Sequence, residues 1–83
     1  MDAAIAFGKV LRKLRTEIGL TQEELGLEAD LRRTYISILE LGQQQPSLTT
    51  ILKLSRALKR QSQEIVAMVE EELATLNNQR GQK

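Results

Sequence analysis

The chain has no cysteine, no histidine and no tryptophan, and holds one proline, one phenylalanine and one tyrosine in 83 residues. Without cysteine there is neither a disulfide framework nor a thiolate metal site, and without histidine the commonest metal ligand and proton shuttle are missing. No metal or cofactor is expected, and no nucleophile–base cluster stands out that would mark an enzyme. Long apolar runs are also absent. The longest, Ala3–Phe7 and Ile65–Val69, span five residues each, far short of the roughly 20 that a membrane helix needs. No basic flank precedes a hydrophobic signal segment, so a soluble, cytoplasmic protein is expected. Scarce aromatics and the lack of sustained apolar–polar alternation exclude strands, which leaves an all-α chain.

One small domain is expected at this length. A chain this short buries only about 60–65% of the surface that its unfolded state exposes, so it gains from a partner subunit. Lys and Arg number 12 against 11 Asp and Glu, a near balance that conceals a strong segregation. Residues 1–31 sum to −2, residues 32–60 to +5 and residues 61–83 to −2. The basic middle contains Arg32, Arg33, Lys53, Arg56, Lys59 and Arg60 against Glu40 alone. Such a distribution suits a surface that meets phosphate on one side, although solvated helix faces would give the same count.

Five helices follow from periodicity and punctuation. Phe7, Val10, Leu11, Leu14 and Ile18 recur at three- and four-residue steps in a helix over about Ala3–Ile18, which Gly19 ends. Thr21, with Glu24 three residues on, forms a capping-box pattern that starts a second helix at Gln22 and carries it to Ala29. Asp30, Leu31 and Arg32 turn the chain into a third helix, Arg33–Leu41, closed by Gly42. After the polar loop Gln43-Gln44-Gln45-Pro46, Ser47 caps a fourth helix, Leu48–Lys59, with a stripe of Leu48, Ile51, Leu52, Leu54, Ser55 and Leu58 expected to be buried. Ser62 is expected to cap a fifth helix, Gln63–Leu76, and residues 77–83 to form a flexible tail.

Helices two and three are short and tightly joined, the helix-turn-helix arrangement that lays a second helix in the DNA major groove. At 100° per residue, Leu25, Gly26 and Ala29 share one face of helix two, where the missing side chain of Gly26 lets a neighbouring backbone approach. On helix three Tyr35, Ile36, Leu39 and Glu40 fall on one side, and Arg33, Thr34, Ser37, Ile38 and Leu41 on the other. The outer side carries the chemistry of base readout. Arg33 offers a fork of donors suited to guanine O6 and N7, Thr34 and Ser37 donate or accept, and Ile38 suits a thymine methyl.

The run TQEELGLEADLRRTYISILELG, followed by PSL and a further amphipathic helix, resembles the lambda-repressor-like (Cro/repressor, Xre-type) helix-turn-helix family over about residues 5–60. The segment RTYIS, together with the short length, is similar to the controller proteins of restriction–modification systems. The resemblance implies base contacts from Arg33, Thr34 and Ser37 and backbone contacts from Gln22, Arg32 and Tyr35. Gln22 would also brace the first recognition residues. It implies an ion pair between Arg15 and Glu40, which would otherwise be charges near the core. Asp30 stands where the family usually has glycine, a replacement that Asp tolerates because it enters the left-handed region more readily than most residues. Gln43, Gln44 and Gln45 occupy places where basic residues are common, so backbone anchoring by Gln43 and Gln44 would use neutral amides. Ile38 and Leu41 replace side chains that are often polar.

Each feature has a plainer reading. Arg15 and Glu40 could pair at the surface, Arg33 could be a solvated charge, Tyr35 could be a core-edge residue, and Ile38 and Leu41 could mark packing or protein contact. In helix five, Val66, Val69, Leu73 and Leu76 follow three-four-three spacing, while Ile65 and Met68 widen the apolar arc. That excess points to a dimer seam through Ile65, Val66, Val69, Leu73 and Leu76, unless the domain's own core absorbs it.

The combined expectation is an all-α, five-helix lambda-repressor-like domain over residues 1–76, with the helix-turn-helix at 22–41 and dimerisation through 63–76. It would bind a symmetric double-stranded operator as a homodimer and regulate transcription as activator or repressor, with RNA polymerase a further partner through acidic helix two. A phage-type repressor and an antitoxin-like protein-interaction module are the alternatives.

Overall fold

The computed structural model describes residues 2–81. Among them are five helices: α1 (Ala3–Glu17), α2 (Gln22–Ala29), α3 (Arg33–Glu40), α4 (Leu48–Leu58) and α5 (Ser62–Gly81). Local chemistry sets most boundaries. The Asp2 carboxylate accepts from the Ala4 backbone N–H at 2.8 Å and opens α1. Both halves of the Thr21–Glu24 capping box are formed, at 3.0 and 2.8 Å, satisfying two backbone donors that a helix start leaves without partners. Asp30 ends α2 in the left-handed region, at φ 58°.

The core lies where the five helices converge, and Leu11, Leu25, Ile36, Leu39, Leu54 and Ile65 are its fully enclosed large side chains. Each contributes about 1.5–3 kcal/mol by leaving water. Helix α1 packs on α3 and α5, and α2 packs on α3 and α4. Two glycines permit the closest approaches. A Cβ on Gly8 would stand 2.5 Å from the Leu39 carbonyl oxygen, and one on Gly26 would stand 2.6 Å from that of Leu31. Backbone therefore rests against backbone where α1 crosses α3 and where α2 meets the turn.

Several sequence expectations need correction. Ile18 and Leu41 follow the last helical residues as C-caps, as does Lys59, whose φ is 59°. Leu48 and Leu52, placed in the buried stripe of α4, are 71% and 49% exposed, because the core meets the side carrying Thr50, Leu54, Ser55, Ala57 and Leu58, with Ile51 packed at its edge. Ser62 is helical rather than a cap; the turn closes on Gln61, whose N–H donates to the Glu64 carboxylate at 3.1 Å. Ile65 is 2% exposed inside the protomer and so cannot line a dimer seam. Helix α5 continues to Gly81 rather than ending at Leu76. Residues 82–83 of the expected tail lie outside the described residues.

Candidate nucleic-acid interface

The tight α2–α3 turn sets the direction of α3. The Leu31 N–H donates to the Gly26 carbonyl at 2.8 Å, and Leu31 packs against the core as a partly buried side chain. Helix α3 starts at Arg33, with Ile36 and Leu39 driven fully inward. The helical repeat then turns the opposite side outward. Arg32, Arg33 and Thr34 are exposed, Ser37 and Ile38 are half-buried, and Leu41 is exposed past the helix end.

Polar networks flank this outward side at both edges. On one, Arg15 of α1 chelates Glu40 of α3 through Nε–Oε2 at 2.6 Å and Nη2–Oε1 at 3.0 Å. Arg15 Nη1 also donates to the Leu20 carbonyl at 2.8 Å. The Gln22 amide nitrogen donates to Glu40 Oε1 at 3.0 Å, so Glu40 gathers α1, α2 and α3 around one carboxylate. The hydrogen bond to Glu40 raises the Arg15 pKa, with the carboxylate's charge acting in the same direction and partial burial opposing both. Gln22 and Arg33 line one open depression together with Arg15, Thr21 and Glu23. On the other edge Tyr35 is half-buried, its hydroxyl 3.4 Å from Thr50 Oγ1 of α4.

The basic middle segment is less one-sided than its charge suggests. Only Arg32 and Arg33 lie at α3. Lys53 and Arg56 share a depression with Glu28 and Asp30, and Arg60 stands 3.8 Å from Glu17. Gln43 and Gln44 are exposed in the loop after α3. Sequence reasoning missed the Gln22–Glu40 hydrogen bond and the link from Tyr35 to Thr50. Both join residues distant in the chain, and no local pattern announces them.

A helix-turn-helix family model matches residues 11–65. The control protein C.BamHI of Bacillus amyloliquefaciens is 40% identical over 63 residues, spanning 75% of this chain and 78% of that protein. The control protein C.MunI of Mycoplasma sp is 39% identical over 72 residues, 86% and 97% of the two chains. The crystal structure of the restriction–modification controller protein C.AhdI from Aeromonas hydrophila superposes with a TM-score of 0.73 at 44% identity, covering 75% of this chain and 94% of that one. The clp gene regulator ClgR from Corynebacterium glutamicum reaches a TM-score of 0.92 over 98% of this chain and 86% of its own. At 23% identity it shows a shared fold.

Proposed function

Because the chain belongs to the helix-turn-helix family of DNA-binding transcriptional regulators, we propose that it acts as a homodimeric controller of a restriction–modification system, binding a symmetric operator in the cytoplasm. Its family makes it a regulator and not an enzyme, so its work is placement: occluding a promoter, or binding beside one and engaging polymerase. The observation that carries the docking mode is the side of α3 opposite the core, where Arg33 and Thr34 are exposed and Ser37 is half-buried beside them. In this reading Arg33, Thr34, Ser37 and Ile38 meet base edges in the major groove. Gln22, Arg32, Tyr35, Gln43 and Gln44 meet the backbone, which sets register without reading sequence.

The proposed dimer seam combines Val66, Val69, Leu73 and Leu76 of α5 with Leu48 of α4. Exposed Leu48 and Val66 support it, and Ile51, Val66 and Val69 line one shallow apolar depression with Ala3 and Phe7 of α1 and with Gln45 and Pro46 of the loop before α4. Exposed apolar surface of this kind marks association. On α2, Glu23, Glu24 and Glu28 are exposed around exposed Leu27, and this acidic ridge is where polymerase would be touched.

Selecting bound duplexes from a random library with the full chain tests the reading. The expected product is a palindromic motif with half-sites about 34 Å apart, one DNA turn, bound by two protomers per duplex. No enrichment at low salt, with another protein co-purifying instead, would replace it with the protein-interaction reading.

A further inference from the structure

The hydroxyl of Tyr35 ends a short chain of hydrogen bonds that begins at the start of α4. The Thr50 backbone N–H donates to Ser47 Oγ at 3.1 Å. Ser47 Oγ donates in turn to Thr50 Oγ1 at 3.1 Å, and Thr50 Oγ1 lies 3.4 Å from the Tyr35 hydroxyl. A hydroxyl has one proton to give and two lone pairs to receive with. Ser47 gives its proton to Thr50. Thr50 is 7% exposed and makes no other side-chain hydrogen bond among the described residues; either hydroxyl of the Tyr35–Thr50 pair can be the donor, and the arrangement that gives every enclosed proton an acceptor has Thr50 donating to Tyr35. In that arrangement the phenol oxygen accepts on its inner side, and its own proton is left to point away from Thr50.

We propose that Thr50 and Ser47 are positioning residues that make Tyr35 a dedicated donor to a backbone phosphate of bound DNA. The inference rests on the docking mode above, in which Tyr35 lies beside the duplex backbone. Phosphate oxygens only accept, so a hydroxyl committed as donor matches them, whereas one already donating inward would have to break that bond first. Hydrogen bonds in a chain also polarise one another, which strengthens the terminal donor. Thr50 is too enclosed to reach a phosphate itself; it acts through Tyr35. The 3.4 Å link is long for an O–H···O bond and shortens when the phosphate draws on the Tyr35 proton.

Affinity for the duplex enriched by the wild-type chain, measured by fluorescence anisotropy, tests this with Tyr35→Phe, Thr50→Val, Thr50→Ser and the double variant Thr50→Val/Tyr35→Phe. Tyr35→Phe should weaken binding about tenfold, the size of a hydrogen bond to a charged group. Thr50→Val should weaken it about threefold and Thr50→Ser should restore it, with the selected motif unchanged in every case. The decisive comparison is the double variant, which should bind no more weakly than Tyr35→Phe alone. A merely structural role for Thr50 would instead add its loss to that of Tyr35→Phe, and additivity overturns the proposal. So does wild-type affinity for either Tyr35→Phe or Thr50→Val. If valine prevents folding, Thr50→Ala supplies the same comparison. If the wild-type chain enriches no duplex, the docking mode itself fails, an outcome distinct from additivity between working variants.

Discussion

Arg15 and Glu40, 25 residues apart in the chain, share two hydrogen bonds at 2.6 and 3.0 Å, with the Glu40 side chain only 4% exposed and that of Arg15 12%. A buried carboxylate is tolerable only when paired, and here Gln22 adds a third donor. The pair holds α3 to α1 while leaving the outer side of α3 free.

Removing one partner should therefore cost more than removing both. Arg15→Ala is expected to destabilise the fold by about 3 kcal/mol, because Glu40 is left charged and enclosed, whereas Arg15→Met/Glu40→Met should lie closer to wild type. Urea unfolding of the variants checks this. The pH dependence follows from the raised Arg15 pKa: the folded chain holds that proton more tightly than the unfolded one. This contribution is complete below the ordinary arginine value and is lost only as pH rises through the folded one. Arg15 deprotonation should not erode stability between about pH 6 and 10.

Two glycines, one within α1 and one just beyond it, separate close packing from backbone conformation. Gly8→Ala would drive a methyl to 2.5 Å from a backbone carbonyl, so the helices must part; a loss of several kcal/mol or failure to fold is expected. Gly19 has φ +78° with nothing within 4 Å of its Cβ position. Gly19→Ala should cost only about 1 kcal/mol, the penalty of a left-handed residue with a side chain. Thermal unfolding by circular dichroism distinguishes the two.

Most of the fold was legible because its signals are local. Thr21 and Glu24 mark the start of α2 by chemistry contained within one turn, and Asp30 marks its end by tolerating positive φ. The buried set of α2, Leu25, Gly26 and Ala29, follows from helical spacing. Periodicity says which residues share a face, but not how wide an arc the neighbours cover. Spacing alone therefore puts Leu48 and Leu52 in the core stripe and Ile65 in an external seam, and the structure reverses both. The outward side of α3 was legible in Arg33, Thr34 and Ser37, which are exposed or half-buried as helical spacing places them. Its supporting hydrogen bonds, Gln22 with Glu40 and Tyr35 with Thr50, depend on tertiary packing and were not.

Association should depend on the apolar face of α5. Val69→Asp and Leu73→Asp are each expected to yield monomers with weakened operator binding, since a buried carboxylate at a seam has no partner. Sedimentation at tens of micromolar, above typical operator affinities, should find the wild type dimeric. A monomer there contradicts the seam.

Binding should weaken steeply with salt, by a log–log slope of about −0.9 for each phosphate neutralised. Arg32→Ala should lower affinity for all sequences alike and make the slope shallower by about one unit for each phosphate that Arg32 no longer neutralises. A slope near zero for the wild type contradicts docking on the phosphate backbone.

Sequence selection with Arg33→Ala tests the recognition helix most directly. Without its bidentate hydrogen bonds to guanine, binding to the wild-type operator should weaken by about 1–3 kcal/mol. The preference should flatten at one base position in each half-site, with the two positions related by the operator's symmetry. Nonspecific affinity should fall much less. If Arg33→Ala instead selects the wild-type motif with equal information at every position, Arg33 does not read bases, and the assignment of the outer side of α3 as the reading surface is wrong.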